Sequence, residues 1–356
     1  MKKVCFFIGN LNNSGGTERV TSIIANELSK QNYEVHILSL YEGEKPFFEL
    51  DSRIQIHSLY LRKISFKRNF IQTVWRIRKF VQFFKINNLI VVDSISCVFT
   101  VPALMGLKIN HICWEHFNFN VNSGVKLRDL GRKLAAKYCN YVVTLTKRDK
   151  DLWEQGLKGI KAKIISIANP TPYENIDHIP NLQFKTVLAV GRLTYQKGFD
   201  LLIEAWAQVC TVNPGWKLRI VGSGEDEELL KSLARKLGIY EYIEFIPATK
   251  IIESHYKTSS FYCMSSRFEG LPMVLLEAQA YGLPIVSLDF DTGPSDIIVH
   301  GYNGFLGKDI LGLVKYLNYL ISLNDIMYFN LVFFAKNNNK KFFVNNIILE
   351  WNELLK

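Results

Sequence analysis

No apolar run in this 356-residue chain approaches the ~20 residues that a bilayer-spanning helix requires. Its apolar runs, such as Val4–Ile8 and Phe261–Met264, are strand-sized. Val4–Ile8 follows Lys2 and Lys3 in the manner of a secretion signal. It stops at Gly9-Asn10 with no small-residue cleavage site, so a buried first strand is expected there. A secreted or integral membrane protein is therefore not expected. None of the six cysteines, Cys5, Cys97, Cys113, Cys139, Cys210 and Cys263, belongs to a Cys-x-x-Cys pair, and most sit in apolar runs. That points to buried, reduced thiols in the cytoplasm and away from disulfides or a zinc site. A third absence is local. From Ser52 to Val92 there is no Asp or Glu, while Arg53, Arg62, Lys63, Lys67, Arg68, Arg76, Arg78, Lys79 and Lys85 all fall in that window.

What is present describes a globular protein with ample core: hydrophobic residues make up 48% and charged residues 21%. The length suits two domains. The net charge of +10 is uneven, since residues 1–176 hold 26 Lys and Arg against 14 Asp and Glu. One half thus carries the whole excess, which suits an anionic partner such as nucleic acid, a membrane surface or a phosphorylated substrate. No nucleic-acid-binding module is recognisable, so no nucleic acid is expected. Within the acid-free window Phe70, Val74, Ile77, Val81 and Phe84 recur at helical spacing, with Trp75, Phe80 and Phe83 nearby. This predicts a basic amphipathic helix whose apolar stripe suits either a core or shallow insertion into a membrane.

Strand-like runs alternate with helical patterns from end to end. Lys3–Ile8, Glu34–Leu40, Leu89–Val92, His111–Trp114 and Tyr141–Thr144 are expected strands of one unit. After Asn169-Pro170-Thr171-Pro172 the pattern restarts with Thr186–Val190, Lys217–Val221, Ile243–Ile246, Phe261–Met264 and Pro284–Leu288. Such alternation means α/β architecture with parallel sheets flanked by helices. The Pro-containing stretch is the expected linker.

Three segments carry the chemistry. In Ser265–Ala278 a strand turns at Glu269-Gly270, and Pro272 opens a helix that carries Glu277. Parallel sheets bind ligands at their carboxyl edge, and two carboxylates there suit paired sugar and ribose hydroxyls. In Gly191–Phe199, Arg192 and Lys197 bracket a loop that ends at a helix N-terminus, a place for a diphosphate. In Asn12–Arg19, Gly15 and Gly16 let the backbone approach a phosphate or sugar, with Thr17 available as a cap. Read alone, this last segment is equally a plain strand-to-helix turn. Two further motifs are set aside. Asp289-Phe290-Asp291 has the form of a metal-binding Asp-x-Asp but lies near the end of the second unit, where a strand-end loop is expected. Gly222-Ser223-Gly224 is half of a dinucleotide fingerprint, with Glu227 at its third small-residue position, and argues against a dehydrogenase.

Together, Gly15-Gly16-Thr17-Glu18, Gly191-Arg192 with Lys197-Gly198, and Glu269-Gly270-Leu271-Pro272 with Glu277-Ala278 resemble the retaining glycosyltransferases of family 4, which have the GT-B fold of two facing Rossmann-like domains. Gly293–Ile298, Gly301–Phe305 and the Asn169-Pro170 link resemble the same family, and the likeness covers essentially the whole chain. It implies an acceptor-binding domain over residues 1–170 and a nucleotide-sugar-binding domain over 171–340. A C-terminal helix over 341–356, with Phe343, Ile347, Ile348, Trp351 and Leu354 at helical spacing, would pack back on the first domain. It also implies site roles. Arg192 and Lys197 would bind the donor diphosphate, Glu277 the ribose and Glu269 the transferred sugar. Gly270 and Leu271 would line the donor, and the Gly15 and Gly16 amides would approach its phosphate. In Trp114-Glu115-His116-Phe117, His116 matches a histidine at the sugar end of the site; the rival reading is a satisfied structural histidine. Pro247 stands where the family usually has glycine near the base-binding loop. The resemblance further implies a hexosyl- or N-acetylhexosaminyltransferase that uses a nucleotide sugar, a UDP-sugar foremost, with no metal or other cofactor. Its acceptor would be a lipid-linked glycan of O-antigen, lipopolysaccharide or capsule assembly, and its place the inner face of the cell membrane, bound peripherally. A non-catalytic, glycosyltransferase-like partner subunit is the alternative.

Overall fold

The computed structural model describes residues 1–122 and 124–356. The chain divides into two compact units, 1–170 with 344–356, and 171–343. Residues 341–343, expected with the last helix, cluster with the second unit.

The first unit is built from β1 (Lys2–Ile8), α1 (Gly16–Ser29), β2 (Tyr33–Ser39), β3 (Gln55–Ser58), α2 (Phe66–Phe83), β4 (Asn88–Val92), α3 (Cys97–Leu104), β5 (Asn110–Trp114), α4 (Lys126–Tyr138), β6 (Tyr141–Thr144), α5 (Lys147–Gly156) and β7 (Lys163–Ser166). Its seven strands are all parallel, in the order β3-β2-β1-β4-β5-β6-β7, so the strand order reverses beside β1. Strands covered on both faces read as continuous apolar runs. Accordingly Val4–Ile8 is wholly buried, with Phe6 in register with Ile37 on one side and Ile90 on the other.

The second unit contains β8 (Thr186–Val190), α6 (Phe199–Cys210), β9 (Lys217–Val221), α7 (Glu227–Lys236), β10 (Ile243–Ile246), α8 (Ile252–Lys257), β11 (Phe261–Met264), α9 (Met273–Ala280), β12 (Ile285–Leu288), α10 (Pro294–Ile297), β13 (Gly304–Gly307), α11 (Ile310–Ile321) and α12 (Asp325–Asn339). Its sheet is also parallel, in the order β10-β9-β8-β11-β12-β13, with the reversal between β8 and β11. The short strands β3, β7 and β13 were not expected. Each is four residues long and sits at a sheet edge, where local pattern is weakest. The last helix, α13 (Val344–Leu355), belongs to the first unit. There Trp351 meets Trp114 edge-on at 4.8 Å between centroids, and Asn110 donates to the Leu354 carbonyl.

Helix α2 resolves the question left open by its sequence. Ile77 and Val81 are buried, and Phe70, Val74, Phe80 and Phe84 pack against the same core, so that stripe is core. A different ridge faces solvent: Ile71, Trp75 and Phe83 are 82%, 57% and 79% exposed. Among the described residues, no helix is long and apolar enough to cross a membrane.

Candidate active site

In the second unit the two loops flanking the strand-order reversal come together at the carboxyl edge of the sheet. The loop after β8 carries Arg192 and Lys197; the loop after β11 carries Glu269. Gly198 makes this meeting possible. Its φ of +62° is left-handed, and a Cβ there would stand 2.2 Å from the Ser265 carbonyl oxygen, so only glycine lets α6 start against the β11 loop. The result is an ion pair of 2.5 Å between Lys197 Nζ and Glu269 Oε1. Ser266 also donates to Oε1 at 3.0 Å, and Gln196 reaches Oε2 at 3.4 Å. From behind, the Thr292 hydroxyl donates to the Glu269 carbonyl at 2.7 Å. Gly293, at φ +106°, lets the chain close over Gly270 and Pro272. Arg192 contrasts with Lys197: it is exposed and makes no hydrogen bond or ion pair among the described residues. Its charge is available to an incoming anion.

Glu277 is the fifth residue of α9 and is buried. Tyr256 of α8 donates to its Oε2 at 2.8 Å. Burial first, and then the Glu277 charge, pushes the Tyr256 phenol well above its ordinary range. It therefore stays protonated and can only donate to the carboxylate, fixing its position. Gly270 is partly exposed, whereas the Leu271 side chain is buried.

In the first unit Gly15 is the residue before α1 and supplies no side-chain cap. Thr17 sits inside the first turn, so the cap expected of it is not made. The leading amides of a 14-residue helix thus carry no side-chain acceptor from the cap position. The loop after β5 holds His116. Its ring packs on Trp114 at 4.5 Å, and its Nε2 is buried without a partner. Burial pushes the imidazole down to about 3, so it is neutral at physiological pH, with one ring nitrogen unspent.

Beneath His116 lies a charge network that sequence reasoning missed. Glu115 is fully buried and accepts hydrogen bonds from Ser94 at 2.5 Å, Arg132 at 3.3 Å and the amides of His116 and Phe117 at 3.1 Å. Arg132, 2% exposed, spends its remaining donors on the carbonyls of Asn118, Phe119 and Val121. Asp149 accepts the Phe119 amide at 2.7 Å; burial raises its carboxyl to about 7, and the Glu115 charge adds to the rise. An acid and a base 17 residues apart leave no local pattern, so nothing in the sequence paired them.

Arg267 was also missed. It grips Asp200 through two hydrogen bonds of 2.9 and 2.6 Å and lies over the Tyr195 ring at 4.0 Å, tying the β11 loop to the β8 loop. Gly222 and Gly224, set aside as a broken fingerprint, press against the backbones of Gly191 and Leu193 and shape the Arg192 loop. Asp289 and Asp291 lie in the loop after β12. Among the described residues, the side chains close enough to share a metal ion are Cys97, His111 and Cys139, and neither aspartate is among them.

Two parallel doubly wound units, one with a fixed Lys–Glu pair, an open arginine and a tyrosine-held glutamate at its strand-order reversal, have the architecture of the GT-B class. Comparison with known proteins gives the family. Residues 150–328 match Glycosyl transferases group 1, and residues 14–174 match Glycosyltransferase Family 4. An uncharacterized glycosyltransferase of Haemophilus influenzae is 40% identical over the whole of both chains. The amylovoran biosynthesis glycosyltransferase AmsD of Erwinia amylovora is 32% identical, also over both whole chains. At 27% identity, over 100% of this chain and 98% of the other, stands the GalNAc-alpha-(1->4)-GalNAc-alpha-(1->3)-diNAcBac-PP-undecaprenol alpha-1,4-N-acetyl-D-galactosaminyltransferase of Campylobacter jejuni. Among solved structures, a mutant of S. aureus TarM in complex with fondaparinux, alpha-GlcNAc-glycerol and UDP superposes with a TM-score of 0.83 at 14% identity, covering both chains completely. The chain belongs to the family 4 glycosyltransferases and is an enzyme of the bacterial polysaccharide type.

Proposed function

We propose that the chain moves a hexose or N-acetylhexosamine, with retention, from a UDP-sugar to a lipid-linked glycan in O-antigen, lipopolysaccharide or capsule assembly. The observation that carries this reading is the open Arg192 beside the Lys197–Glu269 pair at the strand-order reversal of the second unit. Breaking a sugar–phosphate bond builds positive charge on the anomeric carbon and negative charge on the departing diphosphate. Cations placed at the departing group stabilise the latter. Arg192 and Lys197 are assigned to the diphosphate, Glu269 to the sugar hydroxyls, and Glu277 to the ribose, held in place by Tyr256. The Gly15 and Gly16 amides and the unpartnered His116 Nε2 are assigned to the donor phosphate and a sugar hydroxyl. Attack from the face of departure, with the leaving phosphate taking the acceptor proton, needs no protein base. The UDP of the TarM complex and the lipid-linked substrate named for the Campylobacter relative support the choice of donor and acceptor.

Incubation of the protein with UDP-sugars and undecaprenyl-diphosphate glycans tests the reading, with the product anomer read by NMR. The expected product keeps the donor's anomeric configuration; an inverted product overturns it. Because the two cations supply the charge, brief EDTA treatment is expected to leave turnover within about twofold. A manganese requirement that disappears in Asp289→Ala would reinstate the Asp-x-Asp reading.

We further propose that the first unit docks on an anionic bilayer through α2. The ridge Ile71, Trp75 and Phe83 is flanked by the exposed cations Lys67, Arg68 and Lys79 and carries no acid. Apolar side chains rimmed by Lys and Arg suit a helix lying in the lipid interface. Each cation near such a surface contributes about 1 kcal/mol, screened by salt. Arg76 and Arg78 serve the fold instead: Arg76 donates to the Leu59 carbonyl and covers Tyr60, and Arg78 donates to the Ala103 and Met105 carbonyls. The informative reversals are therefore Lys67→Glu, Arg68→Glu and Lys79→Glu together. Sedimentation with phosphatidylglycerol vesicles should show binding at low salt that this triple variant loses while donor hydrolysis survives. Wild-type protein that stays in the supernatant at low salt would end the proposal.

A further inference from the structure

Three of the six cysteines converge with a histidine in the first unit. Cys97 is the first residue of α3, Cys139 caps the end of α4, and His111 and Cys113 lie two apart on β5, where their side chains share a face. All four are buried. The ligand atoms of Cys97, His111 and Cys139 lie within 4.8 Å of one another. The Cys139 Sγ stands 3.5 Å from His111 Nδ1. From these contacts we propose that Cys97, His111 and Cys139 form a structural site for a thiophilic divalent cation of the zinc class, with Cys113, which lies outside that 4.8 Å group, drawn in as the fourth ligand on binding.

The dimensions fit. With metal–sulfur bonds of about 2.3 Å and metal–nitrogen bonds of about 2.1 Å, the sulfur-to-nitrogen edge of a tetrahedral site is about 3.6 Å. The Cys139–His111 edge already has that length, and the other edges of the Cys97–His111–Cys139 triangle need to contract by about 1 Å at most to reach tetrahedral spacing, whereas Cys113 has further to move. The donor set suits the ion as well: three thiolates and one imidazole favour zinc or cadmium over hard cations. The histidine is oriented for the task. Its Nε2 lies 3.0 Å from the Thr100 hydroxyl. With Nε2–H donating to that oxygen, the Nδ1 lone pair is left for a metal. An entrance exists too. His111 lines an open cavity of about 620 Å³ together with Val101, Leu104, Ile109, Tyr138 and Asn140.

The role follows from position. His111 is near the amino end of β5, whereas Glu115 and His116 follow its carboxyl end. A four-ligand site there leaves no open position for substrate, and it would join α3, α4 and β5. It is independent of the donor site and of the proposed transfer reaction.

The test is metal binding by the whole chain, read without activity. Metal-free reduced protein is titrated with cadmium under an inert atmosphere, and the thiolate-to-cadmium ultraviolet band is followed. One cadmium per chain is expected, with a rise in unfolding temperature. In Cys97→Ser and Cys139→Ser the apparent affinity should fall by about tenfold or more, whereas Cys210→Ala in the second unit should bind as wild type. Should the cysteine variants not fold, the wild-type stoichiometry and His111→Gln decide. Wild-type protein that shows no stoichiometric band, or an equal loss in Cys210→Ala, overturns the site.

Discussion

Arg192→Ala is expected to lower turnover by about 100-fold or more while leaving the unfolding curve unchanged. The reasoning rests on what Arg192 does not do. Its guanidinium is exposed and spends no donor on the protein among the described residues, so its removal breaks nothing in the fold. The whole effect then falls on an interaction made with the leaving diphosphate. Lys197→Ala should cost at least as much, but its interpretation differs. Its ammonium holds Glu269 at 2.5 Å, and its loss leaves that half-buried carboxylate, among the described residues, with only Ser266 and Gln196. Part of the loss would therefore come from a displaced Glu269. Comparing the two separates charge at the phosphate from placement at the sugar. Steady-state kinetics with the UDP-sugar decide the matter, and an Arg192→Ala enzyme with near-normal kcat and kcat/KM would remove Arg192 from the donor site.

The largest effect on stability is expected from Arg132→Leu, about 3–5 kcal/mol in the first unit. Arg132 and Glu115 are both out of water, at 2% and 0% exposure. Their burial is tolerated because the carboxylate accepts four hydrogen bonds and the guanidinium donates to three carbonyls besides. Leucine fills part of the volume but leaves an uncompensated carboxylate and three unmet carbonyls in the loop that carries His116. Adding Glu115→Gln to Arg132→Leu should recover part of the loss, because the orphan charge is then gone. Urea unfolding followed by fluorescence measures both, with the transition of each unit fitted separately. A loss below about 1 kcal/mol in Arg132→Leu would show that the network is not what orders the loop.

Much of this protein was determined by sequence alone. Buried parallel strands must be continuously apolar, so Val4–Ile8, Leu89–Val92 and Phe261–Met264 were legible as strands without any partner in view. The family motifs were legible for a related reason. Arg192 to Gly198 and Glu269 to Glu277 are local segments whose spacing is set by one turn leading into one helix. Tertiary structure decided what depends on distance across elements. It brought Lys197 onto Glu269, although they are 72 residues apart, and Tyr256 onto Glu277. It split the aromatic residues of α2 into a core stripe and an exposed ridge, because a helix whose apolar residues spread past one face does not say which of them its neighbours will cover. It set Arg76 and Arg78 against the carbonyls of Leu59, Ala103 and Met105 as backbone anchors. And it gathered Cys97 and Cys139 around His111, which no spacing announced, because they come from α3, the end of α4 and β5 and meet only where those elements pack.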